Sequence, residues 1–261
     1  PVHSRHGHAV NTTMPPQPAT AHAIPPGLDH LVVVAHTLAD GVAWCERTLG
    51  VTPGPGGEHP LMGTHNRLLS VASPAFPAAY LEIIAINTVA ESSTRTSGRR
   101  WFDMDFEPLM QRVARDGPQL AHWVVRVPDL AAALLPLNRA GLHPGDPVAL
   151  SRATPQGLLQ WHITLRPDGV RPLGGCLPTL IQWGNSHPSS QLPASGVTLD
   201  ALTIGHPQAQ VLSDALAALK APAQVTLAPA PILQTRLRTP AGPVTLNLPV
   251  LDEPPLTHPN P

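Results

Sequence analysis

The chain has 261 residues with a formal net charge of −1, and charged residues make up only 13% of it. This balance provides no basic surface for nucleic acid or for an anionic membrane, and no apolar run approaches the roughly 20 residues that cross a bilayer. Two cysteines exclude a disulfide framework, while 34 prolines and 20 glycines favour short elements joined by many turns. We therefore expect a cytoplasmic protein that binds neither nucleic acid nor membranes.

The first predicted elements follow a Pro-rich stretch, residues 1–26, which we interpret as a flexible tail. An apolar, β-branched run predicts a strand at 28–34. Helical spacing predicts a helix at 39–49, with Gly50 placed to end it. Three more strands are predicted, at 51–55, 66–72 and 79–86.

The same order of elements recurs further along the chain. His122 follows His30 by 92 residues, inside a similar apolar run, and Leu180-Ile-Gln-Trp follows Tyr80-Leu-Glu-Ile by 100 residues. The second set of elements is predicted at 120–127 (strand), 129–140 (helix), 142–148, 158–165 and 178–183 (strands). The sequence thus predicts two βαβββ modules, at 27–90 and 118–185, within one domain.

A weaker third copy is predicted at 196–250. It has Ala201 at the position of His30 and Asn247 at the position of Glu82, so we expect it to be structural. Its predicted elements are a strand at 199–204, a helix at 208–219 and strands at 233–238 and 243–248; residues 251–261 form a second tail. The predicted fold class is α+β, with two paired βαβββ modules and a degenerate third one.

Four segments carry a resemblance to a known family. They are Gly27-Leu-Asp-His-Leu-Val-Val, His59-Pro-Leu-Met-Gly-Thr-His-Asn, Tyr80-Leu-Glu and Leu180-Ile-Gln-Trp. In these segments the chain resembles the glyoxalase-like branch of the vicinal oxygen chelate superfamily. The resemblance implies that paired modules form a cleft for one divalent metal, held by residues from the first and last strand of each module.

The resemblance implies four metal ligands: His30, Glu82, His122 and Gln182. Imidazole and carboxylate suit Zn, Ni, Fe, Co or Mn, and four protein ligands leave room for substrate. Gln182 departs from the family, in which a carboxylate is commoner, and its amide brings no charge. Two histidines with one carboxylate also match the facial triad of non-haem iron enzymes. No nucleotide cofactor is implied.

Further polar residues are candidates for catalysis or substrate binding. His65 and Asn66 either form and cap a local turn or line the rim of the cleft, where His65 would move a proton and Asn66 would bind substrate. Arg126 shares a strand face with His122 and is expected to pair with Glu82 or to bind an anionic group. His162 is a weaker candidate for substrate binding.

The predicted function is that of a metal-dependent lyase or isomerase that stabilises an enolate of a small oxygenated substrate, with Glu82 or His65 moving the proton. Two alternatives remain open: a metal-free module that binds a small molecule, and an Fe(II) dioxygenase. We expect a homodimer. Because only nine residues are aromatic, the sequence slightly favours a small oxygenated acid over a large aromatic ligand.

Overall fold

The computed structural model describes residues 24–89, 98–221 and 223–248, so most of both predicted tails lies outside the described residues. The first module consists of β1 (Gly27–Val34), α1 (Leu38–Leu49), β2 (Glu58–His59), β3 (Thr64–Ser70) and β4 (Tyr80–Ile86). Helix α1 begins where the Thr37 side chain accepts a hydrogen bond from the Asp40 backbone N–H. It ends at Gly50, whose φ of 72° lies in the left-handed region that glycine favours.

The second module repeats this order after an intervening helix. The intervening helix is α2 (Glu107–Asp116). The second module consists of β5 (Gln119–Arg126), α3 (Leu130–Arg139), β6 (Asp146–Thr154), β7 (Gly157–Leu165) and β8 (Thr179–Trp183). The two modules share one eight-stranded sheet of order β2-β3-β4-β1-β5-β8-β7-β6. Strands β1 and β5 pair antiparallel at its centre, with His30 opposite Val124 and Val32 opposite His122. The predicted α+β class is confirmed.

The sheet has two faces with different coverings. Its outer face bears Leu31 and Ile83 and packs against helices α1 and α3. Its inner face bears Val32 and Ile84 and packs against the segment between the modules, including Trp101. Because side chains alternate along a strand, His30 and Glu82 lie on the inner face.

The C-terminal unit contains the four predicted elements and one additional strand, and it forms a sheet of its own. It consists of β9 (Thr198–His206), α4 (Ala209–Ala218), β10 (Gln224–Leu227), β11 (Ile232–Thr239) and β12 (Gly242–Asn247). Its strand order is β10-β9-β11-β12, with β9 and β10 parallel. In the first module the last strand lies beside the first, whereas here β12 is an edge strand, so Asn247 does not occupy the position of Glu82. The unit shares the core of the outer face.

Other predicted boundaries also change. No strand forms at 51–55, where Gly54 makes only an isolated bridge to Leu68. The strand expected at 142–148 begins at Asp146 and continues to Thr154. Helix α2 and strand β10 had no predicted counterpart. In the described part of the chain, none of the helices has the length and apolar character needed to cross a membrane.

Candidate active site

A buried ion pair joins the first and last strands of the first module. Strands β1 and β4 pair in parallel, which places Glu82 beside Val32 and Tyr80 beside His30. The His30 Nε2 atom lies 3.4 Å from Glu82 Oε2, and both side chains are less than a tenth exposed. Burial disfavours both charges, but the pair offsets it: hydrogen bonds to Asp29 and Glu82 raise the pKa of His30 to about 9. Burial likewise opposes ionisation of Glu82, yet His30 lowers its pKa to about 2.

Asp29 supports this pair from behind. Its carboxylate is fully buried and accepts a hydrogen bond from His30 Nδ1 at 2.7 Å, which leaves Nε2 directed at Glu82. It also accepts from Trp183 Nε1 at 2.9 Å and contacts His187 Nε2 at 2.9 Å and Arg126 Nη1 at 3.5 Å. Burial disfavours the carboxylate, but the hydrogen bonds from His187 and His30 outweigh it and hold the pKa of Asp29 well below its usual range.

Asn66 and His59 form the second polar wall. Asn66 Nδ2 donates to Glu82 Oε1 at 2.6 Å, and its Oδ1 accepts from the Gly57 backbone N–H at 2.8 Å. The same Nδ2 lies 3.4 Å from His59 Nε2. Burial lowers the pKa of His59 to about 4, so this imidazole is neutral at physiological pH. A side chain at Gly56 would collide with Asn66, which explains the glycine.

These polar groups line a narrow, partly open cavity on the inner face, and the space between its walls is about 420 Å³ when the open solvent at its mouth is counted. We call it the Glu82 cavity. Its polar wall consists of His30, His59, Asn66 and Glu82, with Arg152 from β6. The opposite walls are mainly aromatic and aliphatic, and include Tyr80, Trp101, Phe102, Leu159, Trp161, Ile163, Ile181 and Trp183.

His122, the counterpart of His30, lines a different cavity. Trp101 and Phe102 line both cavities, and the ring of Phe102 lies 5.4 Å from that of His122. His122 Nε2 accepts a hydrogen bond from the Thr179 backbone N–H at 3.2 Å and lies 3.1 Å from Thr179 Oγ1. Burial, with the nearby positive charge of Arg171, lowers the pKa of His122 well below its usual value, so the ring is neutral.

The structure does not bring the four predicted metal ligands together. Only His30 and Glu82 converge. Gln182 lies on the outer face, where its Oε1 accepts from the Leu130 backbone N–H at 2.8 Å, and its neighbours Ile181 and Trp183 face the Glu82 cavity instead. Among the described residues, no three His, Cys, Asp or Glu side chains are grouped so as to hold a metal ion. The predicted four-ligand set therefore does not fit this site.

The misplacement of Gln182 has a simple cause. Val32 pairs with Glu82 in the first module, and Val124, its equivalent, pairs with Thr179 in the second. Thr179 is thus the true counterpart of Glu82. Aligning Glu82 with Gln182 shifts the strand by three residues, and an odd shift moves every side chain to the other face.

Three other candidates lie away from the cavity. His65 is half-buried on the face of β3 opposite Asn66, where it pairs across strands with Glu58. His162 is exposed on β7, between the buried Trp161 and Ile163. Arg126 is buried but neither pairs with Glu82 nor lines the cavity: besides Asp29 it donates to the backbone carbonyls of Pro25, Leu28 and Pro77. Arg126 therefore anchors the chain before β1.

Sequence reasoning missed Asp29, His59 and Arg152. Asp29 and His59 lay within the segments that carry the family resemblance, and a carboxylate next to His30 was the signal that could have identified Asp29. Arg152 and the aromatic walls offered no local signal, because they reach the cavity through the pairing of distant strands. Asn66 is the one predicted substrate-binding residue that lines the cavity.

Comparisons with known proteins give one family match and several similar solved structures. The family model described as a glyoxalase-like domain matches residues 28–220. The crystal structure of a hypothetical protein from Staphylococcus aureus is similar over 86% of each chain, with 15% sequence identity and a TM-score of 0.49. Two methylmalonyl-CoA epimerases are similar over part of the chain.

The epimerase from Streptomyces coelicolor is 15% identical over 61% of this chain and 96% of its own, with a TM-score of 0.37. That from Mycobacterium tuberculosis is 17% identical over 63% and 91%, with a TM-score of 0.36. No curated protein matches the chain. With a family model that spans both modules and reaches into the third unit, the chain belongs to the glyoxalase-like domain family of the vicinal oxygen chelate superfamily.

Proposed function

We propose that the protein binds a small oxygenated molecule in the Glu82 cavity and that Glu82 takes a proton from a carbon atom of this molecule. The observation that carries this proposal is the buried Glu82–His30 ion pair, which opens into an otherwise largely apolar cavity. Burying a charged group costs on the order of several kcal/mol in lost hydration, and the attraction between the two charges offsets part of this cost. Clusters of buried groups with shifted pKa values are typical of functional sites.

Three residues of the polar wall have roles in this chemistry. Glu82 is the base, and Asn66 orients it by binding Oε1. The His30 imidazolium, fixed by Asp29, donates from Nε2 to the oxygen on which charge develops when a proton leaves the neighbouring carbon. A ligand oxygen that takes this donor from Glu82 also removes the main cause of the low pKa of Glu82, so binding makes the carboxylate a stronger base.

The metal-dependent lyase or isomerase and the Fe(II) dioxygenase both need a complete set of metal ligands. Gln182 lies on the outer face and His122 lines a different cavity, so these residues do not complete such a set with His30 and Glu82. A metal-free binding module is the second candidate function, and the low pKa of Glu82 in the free protein favours it, because a carboxylate with a pKa of about 2 is a weak resting base. The homodimer and the cytoplasmic location remain predictions.

The experiment is a solvent-exchange screen. The full chain is incubated in D2O with a panel of small 2-oxo acids, 2-hydroxy acids and aryl ketones, and NMR follows both binding and loss of C–H signals. Exchange that is lost in Glu82→Gln, with binding retained, supports proton transfer. Binding without exchange supports the binding module. Parallel samples with EDTA and with added Zn, Ni, Fe, Co or Mn show whether a metal contributes.

His162→Gln is the matched control, because His162 is an exposed histidine outside the cavity. It should leave binding and exchange unchanged. If no compound binds, or if Glu82→Gln binds and exchanges as well as the wild type, the proposed function is wrong.

A further inference from the structure

The aromatic residues are concentrated at one place in the molecule. The chain has only nine, yet five of them line the Glu82 cavity. Trp161 and Trp183 stand next to each other on β7 and β8, with ring centroids 5.5 Å apart and planes tilted by 42°. Tyr80 stacks on His30, with 4.7 Å between the ring centroids. A low aromatic content therefore does not mean a cavity without stacking surfaces.

Two hydrogen-bond donors on the cavity walls lack partners among the described residues. Arg152 Nε and Trp101 Nε1 are both buried without an acceptor. Within the described part of the chain, Arg152 Nη1 donates a long hydrogen bond, 3.4 Å, to Asn66 Oδ1. A buried donor without a partner costs free energy, and a ligand oxygen that accepts from it removes this cost.

Gly57 makes room for Arg152 at the cavity. An added Cβ at Gly57 would lie 2.4 Å from Arg152 Nη1 and 2.8 Å from Cζ, so a larger residue would displace the guanidinium. The same glycine donates its backbone N–H to Asn66. One small residue thus positions both the guanidinium and the amide.

The charges that line the cavity favour a monoanion. Glu82 is negative, whereas His30 and Arg152 are positive and His59 is neutral. Behind His30, the negative charge of Asp29 is accompanied by the positive charge of Arg126. The cavity lining therefore carries one excess positive charge, and Arg152 is the cation that no carboxylate on the walls contacts among the described residues.

We propose that the ligand is a planar aryl monoanion such as an aryl carboxylate, with its ring against Trp161 and Trp183 and its acid group on Arg152. This inference rests on the proposed function, because it names the ligand class of the same cavity. A guanidinium binds a carboxylate through two parallel hydrogen bonds, and an aromatic wall favours a flat ring over a puckered one of similar size.

The experiment compares four probes by isothermal titration and by NMR shifts of the Trp indole N–H groups. They are benzoate, cyclohexanecarboxylate (same charge, not planar), benzamide (planar, no charge) and lactate (small, oxygenated, aliphatic). We expect benzoate to bind about tenfold more tightly than cyclohexanecarboxylate and benzamide. Benzoate should also shift the indole signals of Trp161 and Trp183.

Two variants separate the interactions. Arg152→Gln should remove the preference for benzoate over benzamide. It should retain the preference for a planar ring over a puckered one when both compounds are uncharged, which is tested with benzamide and one further compound, cyclohexanecarboxamide. Trp161→Leu should reduce the preference for benzoate over cyclohexanecarboxylate. Arg236→Gln is the matched control, because the Arg236 side chain is 60% exposed on β11 of the C-terminal sheet. It should change nothing.

The outcomes distinguish the two proposals. If lactate or cyclohexanecarboxylate binds in the Glu82 cavity as tightly as benzoate, the ligand class is wrong while the proposed function stands. Equal affinity of the wild type and Arg152→Gln for benzoate also refutes the ligand class. If no probe binds and the solvent-exchange screen finds no ligand, the proposed function fails as well.

Discussion

The two modules place a histidine at equivalent positions but give it different partners. In the first, His30 faces Glu82 across a parallel strand pair, with Nε2 and Oε2 3.4 Å apart. In the second, His122 faces Thr179 at the same register, with Nε2 and Oγ1 3.1 Å apart. The His30 ring is therefore charged and the His122 ring neutral: against burial, the carboxylates of Asp29 and Glu82 raise the pKa of His30 to about 9, whereas burial lowers that of His122.

This difference explains why, among the described residues, His30 forms a buried ion pair with a carboxylate and His122 does not. Both histidines are almost completely buried, so desolvation acts against the charged form of each. Only His30 has carboxylates to compensate, from Asp29 and Glu82. A repeat in sequence therefore locates equivalent positions, but the neighbours on adjacent strands determine the chemistry. Four predictions test this comparison.

The largest effect is expected at Asp29. In Asp29→Asn, the buried His30 loses its closest counter-charge and four donors face a single amide oxygen. Breaking a buried ion pair in this way should lower the free energy of unfolding by about 3–5 kcal/mol, measured by denaturant titration. Asp200→Asn is the control, because Asp200 contacts the exposed Arg238 and should cost less than about 1 kcal/mol. Equal effects of the two variants would refute the role of Asp29.

The second prediction concerns pH. The pKa of His30 is about 9 in the folded protein against 6.5 as its ordinary value, so its contribution to stability is fully present below about pH 6.5 and is lost as pH rises through 9. The loss should be on the order of 3 kcal/mol, since one pKa unit corresponds to about 1.4 kcal/mol. Burial raises the pKa of the Cys45 thiol to about 12 and of Cys176 to about 11, so these thiols also reduce stability in alkali.

The comparison with His30→Gln removes the contribution of the thiols. Chemical denaturation of both proteins between pH 6 and 10 should show a difference in stability that shrinks as pH rises. NMR of 13C-labelled histidine provides an independent measurement, in which His30 titrates near pH 9. A His30 signal that titrates at or below pH 6.5 would contradict the ion pair.

Exchanging the partners gives the third prediction. Glu82→Thr makes the first module resemble the second, and the pKa of His30 should fall by about one unit, which corresponds to about 1.4 kcal/mol. It should not fall as far as that of His122, because Asp29 remains. The reciprocal variant Thr179→Glu should raise the pKa of His122. Histidine NMR titration measures both changes, and an unchanged His30 in Glu82→Thr would show that Asp29 alone sets its charge.

Much of the fold followed from periodicity in the sequence. The apolar runs and helix signals located β1, α1, β5 and α3, and the repeat at 92 residues aligned His30 with His122 correctly. The shared pairing of the two modules followed from the family resemblance. Helix α2 was missed because it lies in the segment between repeats, and the order of the C-terminal sheet was missed because strand pairing is not encoded locally.

The site was less predictable than the fold. His30, Glu82 and Asn66 come from one module, on three neighbouring strands of which β4 pairs with both β1 and β3. Arg152, Trp161 and Trp183 come from the other module, and only strand pairing shows that their side chains reach the same cavity. The alignment of β4 with β8 had to be exact to predict a face, and short apolar strands do not provide that precision.

Gln182 provides the fourth and smallest effect, and it separates the two alignments of β8. If Gln182 were the counterpart of Glu82, Gln182→Ala would impair ligand binding. In the structure, Gln182 Oε1 instead accepts from the Leu130 backbone N–H at the start of α3, where Asp129 also caps the helix by accepting from the Ala132 N–H at 3.0 Å.

Gln182→Ala should therefore lower stability by about 0.5–1 kcal/mol, close to the roughly 1 kcal/mol expected for Asp129→Ala, because each removes an acceptor for a backbone N–H at the helix start. Binding of any ligand found for the Glu82 cavity should be unchanged in both variants, and thermal unfolding with ligand titration measures the two effects together. A loss of binding in Gln182→Ala but not in Asp129→Ala would restore the alignment with Glu82. Without such a loss, Thr179 is the residue of the second module that corresponds to Glu82.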